Sequence, residues 1–217
     1  MTDPHLTHLY FLLDRSGSMA SIKAETEAGF DAFIAEQRTA PGRCEVTLAQ
    51  FDSDYEEVYA ARPVTEVPPL HLIPRGTTAL LDSIGRLVTT AGERLAALPE
   101  EARPGTIIVG IMTDGHENAS HEWGFGAIRA LIEQQTKVYS WEFLYMGADQ
   151  DAIEVGAQLG VSRDQSLTYD RHRVGSAMAA ASGNISAMRA ARSAGASPAA
   201  ARQKLAFTEA QRTNAGS

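Results

Sequence analysis

Two apolar runs, each closely followed by an aspartate, decide the fold of this 217-residue chain. The first is HLYFLL at residues 8–13, which Asp14 follows directly, and the second is TIIVGIM at residues 106–112, which Asp114 follows two positions later. Strands that read as almost unbroken apolar runs are typical of parallel sheets whose two faces are both covered. We therefore expect these segments to be central, parallel strands of one sheet.

Strand and helix patterns alternate in the segments around these runs. Residues 19–37 and 79–98 repeat apolar side chains at helical spacing, and each predicts a helix that covers the sheet. Residues 45–51 and 55–61 predict two strands, and the three residues between them are few enough to require an antiparallel hairpin. The remaining predicted elements are a helix around Ile128, Leu131 and Ile132, a strand at 138–146, a helix at 151–159 and a strand at 166–169.

This order of elements predicts an α/β fold. We expect a doubly wound, mostly parallel six-stranded sheet with one antiparallel edge strand and helices on both faces. In such folds ligands bind beyond the carboxyl ends of the parallel strands. Candidate functional residues are therefore sought in the loops that follow those ends.

Charge is distributed unevenly along the chain, although the net charge is −8. Residues 1–170 carry 12 basic and 26 acidic side chains, a net charge of −14, whereas residues 171–217 carry 7 basic side chains and 1 acidic side chain, a net charge of +6. We therefore predict a domain at residues 5–170, an Ala-rich helix at 171–195 docked on it, and a flexible or weakly helical basic tail at 196–217. Since Ala, Gly and Ser bury little apolar area, truncation after Gly195 is expected to leave the melting temperature nearly unchanged.

Composition excludes several classes of protein. With 44% hydrophobic and 21% charged residues the chain is globular, and no apolar run approaches the roughly 20 residues that span a bilayer. A single cysteine, Cys44, excludes an internal disulfide and a four-cysteine zinc site, which favours a reducing cytoplasm. The net negative charge of residues 1–170 argues against nucleic acid as a partner, because phosphate binding needs a positive face.

Three polar loops fall on the predicted rim of the sheet. They are Asp14-Arg15-Ser16-Gly17-Ser18 after the first strand, Gly76-Thr77-Thr78 before the second long helix, and Thr113-Asp114-Gly115 after the central strand. Their carboxylates and hydroxyls are hard oxygen donors, which suit Mg²⁺, Mn²⁺ or Ca²⁺ better than zinc or copper. Two carboxylates only balance a divalent charge, so a bound ion stays electrophilic toward an acidic side chain of a partner protein.

This ordered set resembles the metal-ion-dependent adhesion site of von Willebrand factor A domains, which uses an Asp-x-Ser-x-Ser motif, a later Thr and a later Asp. The resemblance covers about residues 5–170, and the motifs are similar to those of intracellular bacterial members of the family. It implies a non-catalytic module that binds an Asp or Glu of a partner protein. Thr77 is the alternative to Thr78 in the site. The implied metal ligands are Asp14, Ser16, Ser18, Thr78 and Asp114.

Each motif also has a purely structural interpretation. Ser16 and Ser18 fit a turn followed by a helix cap, and Asp52 and Asp54 fit the turn of the predicted hairpin. Asp82 fits the first turn of the second helix, where the helix dipole favours a carboxylate. Only the joint order of the five site residues favours metal binding over these interpretations.

A second function class depends on His116, Glu117 and His121. The two histidines lie five residues apart in a predicted loop, whereas a zinc protease has them four apart on a helix. We expect His116 and Glu117 to line the rim, and a metal-assisted hydrolase with His116 as its base is the alternative to a binding module. Trp123 and Phe125 fit either exposed recognition or packing at a helix start. The chain lacks the phosphate loop, dinucleotide turn and nucleophile elbow of other α/β enzymes.

Overall fold

One sheet organises the part of the chain that this computed structural model describes, which is residues 2–148 and 151–216. Its strands are β1 (Asp3–Asp14), β2 (Arg43–Phe51), β3 (Tyr55–Pro63), β4 (Pro104–Thr113), β5 (Glu142–Ala148) and β6 (Ser166–Tyr169). They lie in the order β3-β2-β1-β4-β5-β6. All neighbouring pairs are parallel except β2 and β3, which form the antiparallel hairpin at the edge. The predicted fold class is confirmed.

Helices cover both faces of the sheet. They are α1 (Lys23–Thr39), α2 (Leu80–Ala97), α3 (Phe125–Tyr139), α4 (Ala152–Leu159), α5 (Val174–Ser193), α6 (Pro198–Arg202) and α7 (Glu209–Gly216). Leu9, Phe11 and Leu13 of β1 belong to the core beneath α1 and α5. Tyr10 and Leu12, which point to the other face, pack with α2, α3 and α4. Strand β1 thus buries both of its faces, as its unbroken apolar sequence predicts.

The start of β5 differs from the sequence-based prediction. The strand predicted at 138–146 begins too early, because Val138 and Tyr139 are the last residues of α3 and β5 starts at Glu142. Ser140 ends the helix in the left-handed conformation, with a φ of 57°. Val and Tyr are β-prone residue types, but here both are largely exposed at a helix end, where their intrinsic preference has little packing to support it.

Helix α5 docks on α1 through buried polar groups. Gln37 of α1 donates from Nε2 to Ser182 Oγ at 3.0 Å, and Arg189 Nη1 donates to the Gln37 carbonyl at 2.7 Å. The two helices approach closely at Gly29, where an added Cβ would lie 3.2 Å from Met178 Cγ. This helix lies within the segment 171–195, for which the sequence predicts a docked helix. None of the helices in residues 2–148 and 151–216 combines the length and the apolar sequence that a membrane span requires.

The C-terminal segment differs more strongly from its prediction. The sequence predicts a flexible or weakly helical tail at 196–217 that buries little, but α6, α7 and the residues between them pack into the α1/α5 core. Leu205 is 0% exposed and Phe207 is 5% exposed, and the small side chains of Ala201 and Ala215 are fully buried beside them. The premise that this segment buries little is therefore wrong, because two large apolar side chains reach the core and small ones allow close packing around them.

Basic side chains of the same segment donate hydrogen bonds to the acidic segment, residues 1–170. Arg202 Nε donates to Glu142 Oε1 at 2.7 Å, and Arg212 Nη1 donates to the Ser166 carbonyl at 2.8 Å. Glu142 is 1% exposed, and burial raises the pKa of its carboxyl although Arg202 acts in the opposite direction. The tail thus supplies the counter-charge for a carboxylate that the fold has removed from water.

Candidate metal centre

The carboxyl ends of β1 and β4 lie side by side and carry the candidate site. Leu13 stands opposite Met112 in the register of this parallel pair, so Asp14 and Thr113 end the two neighbouring strands at the same level. Asp114 follows directly. The expectation that strand ends share one rim therefore holds for these aspartates.

Asp14 is completely buried, and both of its carboxylate oxygens accept hydrogen bonds. Oδ1 accepts from Ser16 N and Oδ2 accepts from Thr113 Oγ1, each at 2.6 Å. Burial raises the pKa of Asp14 to about 6, against the lowering effect of these hydrogen bonds, and the charge of Asp114 raises it further. The two carboxylates thus repel each other, and a cation placed beside both relieves that repulsion.

The two serines of the first loop connect Asp14 to Asp114. Ser16 Oγ lies 3.0 Å from Ser18 Oγ, and Ser18 Oγ donates to Asp114 Oδ1 at 2.6 Å. The chain continues as a 3₁₀ segment, Gly17–Ile22, before α1 begins, and the Ser16 side chain makes no capping hydrogen bond to that segment. The hydroxyls therefore face the aspartates, and the helix-cap interpretation is not needed for Ser16.

Thr78 brings a third hydroxyl to the same place, and Gly115 shows how closely the oxygen atoms gather. A Cβ added to Gly115 would lie 3.1 Å from Thr78 Oγ1, 3.7 Å from Ser18 Oγ and 3.9 Å from Asp14 Oδ2. Thr78 is held by Asn118, whose Oδ1 accepts from Thr78 N at 3.0 Å. Oxygen atoms from two loops, that of Asp14 and Ser18 and that of Thr78, therefore lie within 4 Å of one point beside Gly115.

Thr77, the alternative to Thr78, contacts the neighbouring hairpin instead. Its Oγ1 lies 2.8 Å from Ser53 Oγ, and its backbone N–H donates to the same oxygen at 3.1 Å. Gly76 before it has a φ of 66°, and a Cβ there would lie 2.8 Å from Ser53 Oγ, so this turn favours glycine. The structure brings Thr78, and not Thr77, to the oxygen cluster.

An ion-pair network centred on the buried Arg15 and Asp52 holds the first loop in place. Arg15 Nε and Arg75 Nε both donate to Asp52 Oδ2, at 2.7 and 2.9 Å, and Arg15 Nη1 donates to Glu56 at 2.5 Å. The pKa of Asp52 is lowered: burial alone raises it, but the hydrogen bonds from Asp54 N and the two arginines outweigh burial. Asp52 therefore does more than form a hairpin turn, since it positions the Asp-x-Ser-x-Ser loop.

Two carboxylates fasten the loop after β4 to the start of α2. Glu117 accepts from Leu81 N at 2.9 Å and from both N and Oγ of Ser120 at 2.7 Å. Asp82 in turn accepts from the backbone N–H groups of residues 121–123 at 2.8 to 3.0 Å. The Glu117 carboxylate is thus engaged in holding the rim together, and Asp82 is a first-turn residue of α2 that acts on the same loop.

The histidines of this loop do not form a zinc-protease site. His116 and His121 are both exposed, and no helix contains them. Within residues 2–148 and 151–216, no group of three or more His, Cys, Asp or Glu side chains has metal-binding geometry. Trp123 lies against α2, since a Cβ added to Gly85 would come within 2.4 Å of Trp123 Cε2, and this contact favours packing over exposed recognition.

Tyr169, at the end of β6, and Arg171, two residues later, contact residues 113 and 114 at the end of β4, although no sequence motif selects them. Tyr169 Oη donates to the Thr113 carbonyl at 3.2 Å. Arg171 Nη1 lies 3.3 Å from Asp114 Oδ2, and Arg171 Nη2 donates to the Asp114 carbonyl at 3.1 Å. The change of charge sign at residue 171 predicts a domain boundary, whereas the first residue after that boundary belongs to the site.

The donor set fits a divalent cation bound by oxygen atoms. Carboxylate and hydroxyl oxygens are the ligands that Mg²⁺, Mn²⁺ and Ca²⁺ accept. Hydroxyls add no charge, so a bound ion keeps part of its attraction for an anion. The residues that would hold it are Asp14, Ser16, Ser18, Thr78 and Asp114.

Comparisons with known proteins identify the fold. No protein-family model matches the chain, and a search of curated proteins finds no match. Solved structures do match: proximal thread matrix protein 1 from the mussel byssus, with zinc in its metal-ion-dependent adhesion site, has 14% identity and a TM-score of 0.57 over 82% of this chain and 45% of its own. The von Willebrand factor domain of the type V pilus tip protein Mfa5 from Porphyromonas gingivalis has 10% identity and a TM-score of 0.57 over 82% of this chain and 94% of its own. This chain has the von Willebrand factor A fold.

A third structure with the von Willebrand factor A fold comes from Catenulispora acidiphila. It has 15% identity and a TM-score of 0.52 over 86% of this chain and 42% of its own. The chain thus spans less than half the length of the mussel and Catenulispora proteins. The resemblance drawn from the motifs is confirmed as one of fold, and the mussel protein shows that a protein with this fold holds a metal ion at such a site.

Proposed function

We propose that this chain is a metal-dependent protein-binding module. The observation that carries the proposal is the convergence of Asp14 Oδ2, Ser18 Oγ and Thr78 Oγ1 on the space above Gly115. In this proposal a divalent cation, Mg²⁺ or Mn²⁺ by the chemistry of the donors, accepts an Asp or Glu of a partner protein. The likeness to von Willebrand factor A structures, one of them with an occupied metal site, supports it.

The charge of the chain makes such recognition depend on the cation. Residues 1–170 carry 26 acidic against 12 basic side chains, so an acidic partner is repelled at long range. A bound cation offsets Asp14 and Asp114 and supplies one local point of attraction. Binding should therefore be abolished by EDTA, restored by Mg²⁺, and affected less by moderate salt than by chelation.

The metal site is tested by calorimetry with Mg²⁺, Mn²⁺, Ca²⁺ and Zn²⁺. Wild type is expected to bind Mg²⁺ or Mn²⁺ in preference to Zn²⁺, and Asp14→Ala and Asp114→Ala are expected to lose most of this binding. Asp54→Ala is the matched control, because it removes an exposed carboxylate from the neighbouring hairpin turn. Unchanged metal binding in both site variants would overturn the assignment.

Partner binding is tested by capture in Mg²⁺ and in EDTA, followed by mass spectrometry. Thr78→Ala should weaken the capture. A partner retained equally by wild type in EDTA and by the double variant Asp14→Ala, Ser16→Ala would show that recognition uses another surface.

The proposal includes no catalytic step. His116 is exposed two residues after Asp114, and His116→Ala is expected to leave metal and partner binding unchanged. A metal-dependent hydrolytic activity that this substitution abolishes would favour the alternative, a hydrolase with His116 as its base.

A further inference from the structure

The guanidinium of Arg171 contacts the carboxylate that the proposed metal also uses. Arg171 Nη1 lies 3.3 Å from Asp114 Oδ2, while Asp114 Oδ1 accepts from Ser18 Oγ at 2.6 Å. The Asp114 side chain is fully buried, whereas the Arg171 side chain is 33% exposed. The arginine therefore approaches the aspartate from the solvent side, at the rim where a cation also approaches.

The fold holds Arg171 in this place through its neighbours in sequence. Tyr169 Oη donates to the Thr113 carbonyl at 3.2 Å, and Asp170 N donates to the Ala215 carbonyl at 2.8 Å. Asp170 Oδ1 also accepts from His172 N at 2.7 Å, which shapes the turn that carries Arg171. These hydrogen bonds on both sides of Arg171 hold the turn from which its guanidinium reaches Asp114.

We infer that Arg171 competes with the divalent cation for Asp114 and thereby sets the metal affinity of the site. This inference rests on the proposed function. A guanidinium and a divalent ion on the same carboxylate repel each other. When the ion binds, Arg171 therefore either moves toward solvent or stays in place and weakens the metal affinity. Its partial exposure gives the side chain room to leave. The result is a site that releases its ion readily and responds to cation concentration.

Calorimetry with Mn²⁺ on four proteins tests the inference: wild type, Arg171→Met, Arg171→Lys and Arg173→Met. Loss of a positive charge close to a divalent ion at this partly exposed rim is expected to tighten binding by about tenfold in Arg171→Met. Arg171→Lys keeps the charge and should stay within about threefold of wild type. Arg173→Met is the matched control: it removes a guanidinium from the same turn, one that donates to the Asn214 carbonyl instead of to Asp114, and it should change the affinity by less than about twofold.

Thermal unfolding separates competition from a purely structural role. In EDTA, Arg171→Met should melt below wild type, because the buried Asp114 loses its guanidinium. In saturating Mn²⁺ the difference should shrink or reverse, since tighter binding stabilises the variant more. A structural role alone predicts the same loss in both conditions, and Arg171→Gln replaces Arg171→Met if the latter does not fold.

The outcomes distinguish this inference from the proposed function. If wild type binds Mn²⁺ and Arg171→Met binds it with unchanged or weaker affinity, the inference is overturned and the proposed function stands. If Arg171→Met or Arg171→Gln binds Mn²⁺ while wild type and Arg173→Met do not, the inference is supported in its strongest form. Failure of all four proteins to bind Mn²⁺, Mg²⁺ or Ca²⁺ overturns both.

Discussion

Phe207→Ala is expected to destabilise the whole domain, although the residue lies in the last tenth of the chain. Phe207 is 5% exposed within the α1/α5 core, and its backbone N–H donates to the Asp164 carbonyl at 2.8 Å. Removing a buried phenylalanine side chain costs about 3 to 5 kcal/mol in a core. Because a terminal segment detaches more easily than a central one, we expect the low end, about 3 kcal/mol of unfolding free energy.

Urea unfolding measures this loss directly, and thermal unfolding should show a decrease of about 6 to 12 °C for a chain of this size. Tyr139→Ala is the control, because it removes an aromatic ring that is 58% exposed at the end of α3 and should cost less than about 0.5 kcal/mol. Truncation after Gly195 should be at least as harmful as Phe207→Ala, since it also removes Arg202 from the buried Glu142. If Phe207→Ala and Tyr139→Ala have equal, small effects, the tail is not part of the core.

Single substitutions test three other parts of the structure. Burial, with the charge of Arg94, lowers the pKa of His8 from 6.5 to about 4, so between these pH values the unfolded chain binds a proton that the folded chain does not. Wild type should therefore lose about 3 kcal/mol of stability from His8 as the pH falls from 6.5 to 4, and urea titrations of His8→Asn should lack that contribution. Equal pH slopes in the two proteins would contradict this. Gly115→Ala places a Cβ 3.1 Å from Thr78 Oγ1 and should weaken Mn²⁺ binding about tenfold in calorimetry at an unchanged melting temperature. Glu117→Gln should lower the unfolding free energy measured in urea by about 1 to 3 kcal/mol, since the neutral amide replaces a charged acceptor of several hydrogen bonds. An unchanged midpoint would show that these hydrogen bonds of Glu117 do not stabilise the fold.

The sheet could be predicted from sequence because a central strand must bury both faces, and few residue patterns satisfy that demand. The runs in β1 and β4 are of this kind, and the short connection between β2 and β3 permits only a hairpin. The boundary between α3 and β5 could not be predicted, because Val138 and Tyr139 favour a strand by residue type and nothing local signals the left-handed Ser140. The docking of the tail could not be predicted either, because only a few of its apolar residues reach the core.

The candidate site divides in the same way. Asp14, Ser16 and Ser18 follow one strand and Asp114 follows its neighbour, so the rule that strand ends share a rim suffices to bring them together. Arg171 escapes that rule, because it reaches Asp114 from the end of β6, two strands away. Glu117 shows a different limit of prediction from sequence. A glutamate that caps the start of a helix cannot be distinguished from one that lines a metal rim, because both are the same residue type at the same place in the chain.

The change of charge sign at residue 171 therefore has a different meaning from the one that the sequence suggests. Five of the seven basic side chains after residue 170 donate to atoms of residues 1–170, and two of the five, Arg171 and Arg202, pair with buried carboxylates; the five are Arg171, Arg189, Arg192, Arg202 and Arg212. Opposite net charges on two segments of one chain attract each other, so the compositional boundary marks an intramolecular interface. A cation at the rim between Asp14 and Asp114 is then the source of local positive charge that the proposed recognition of an acidic partner requires.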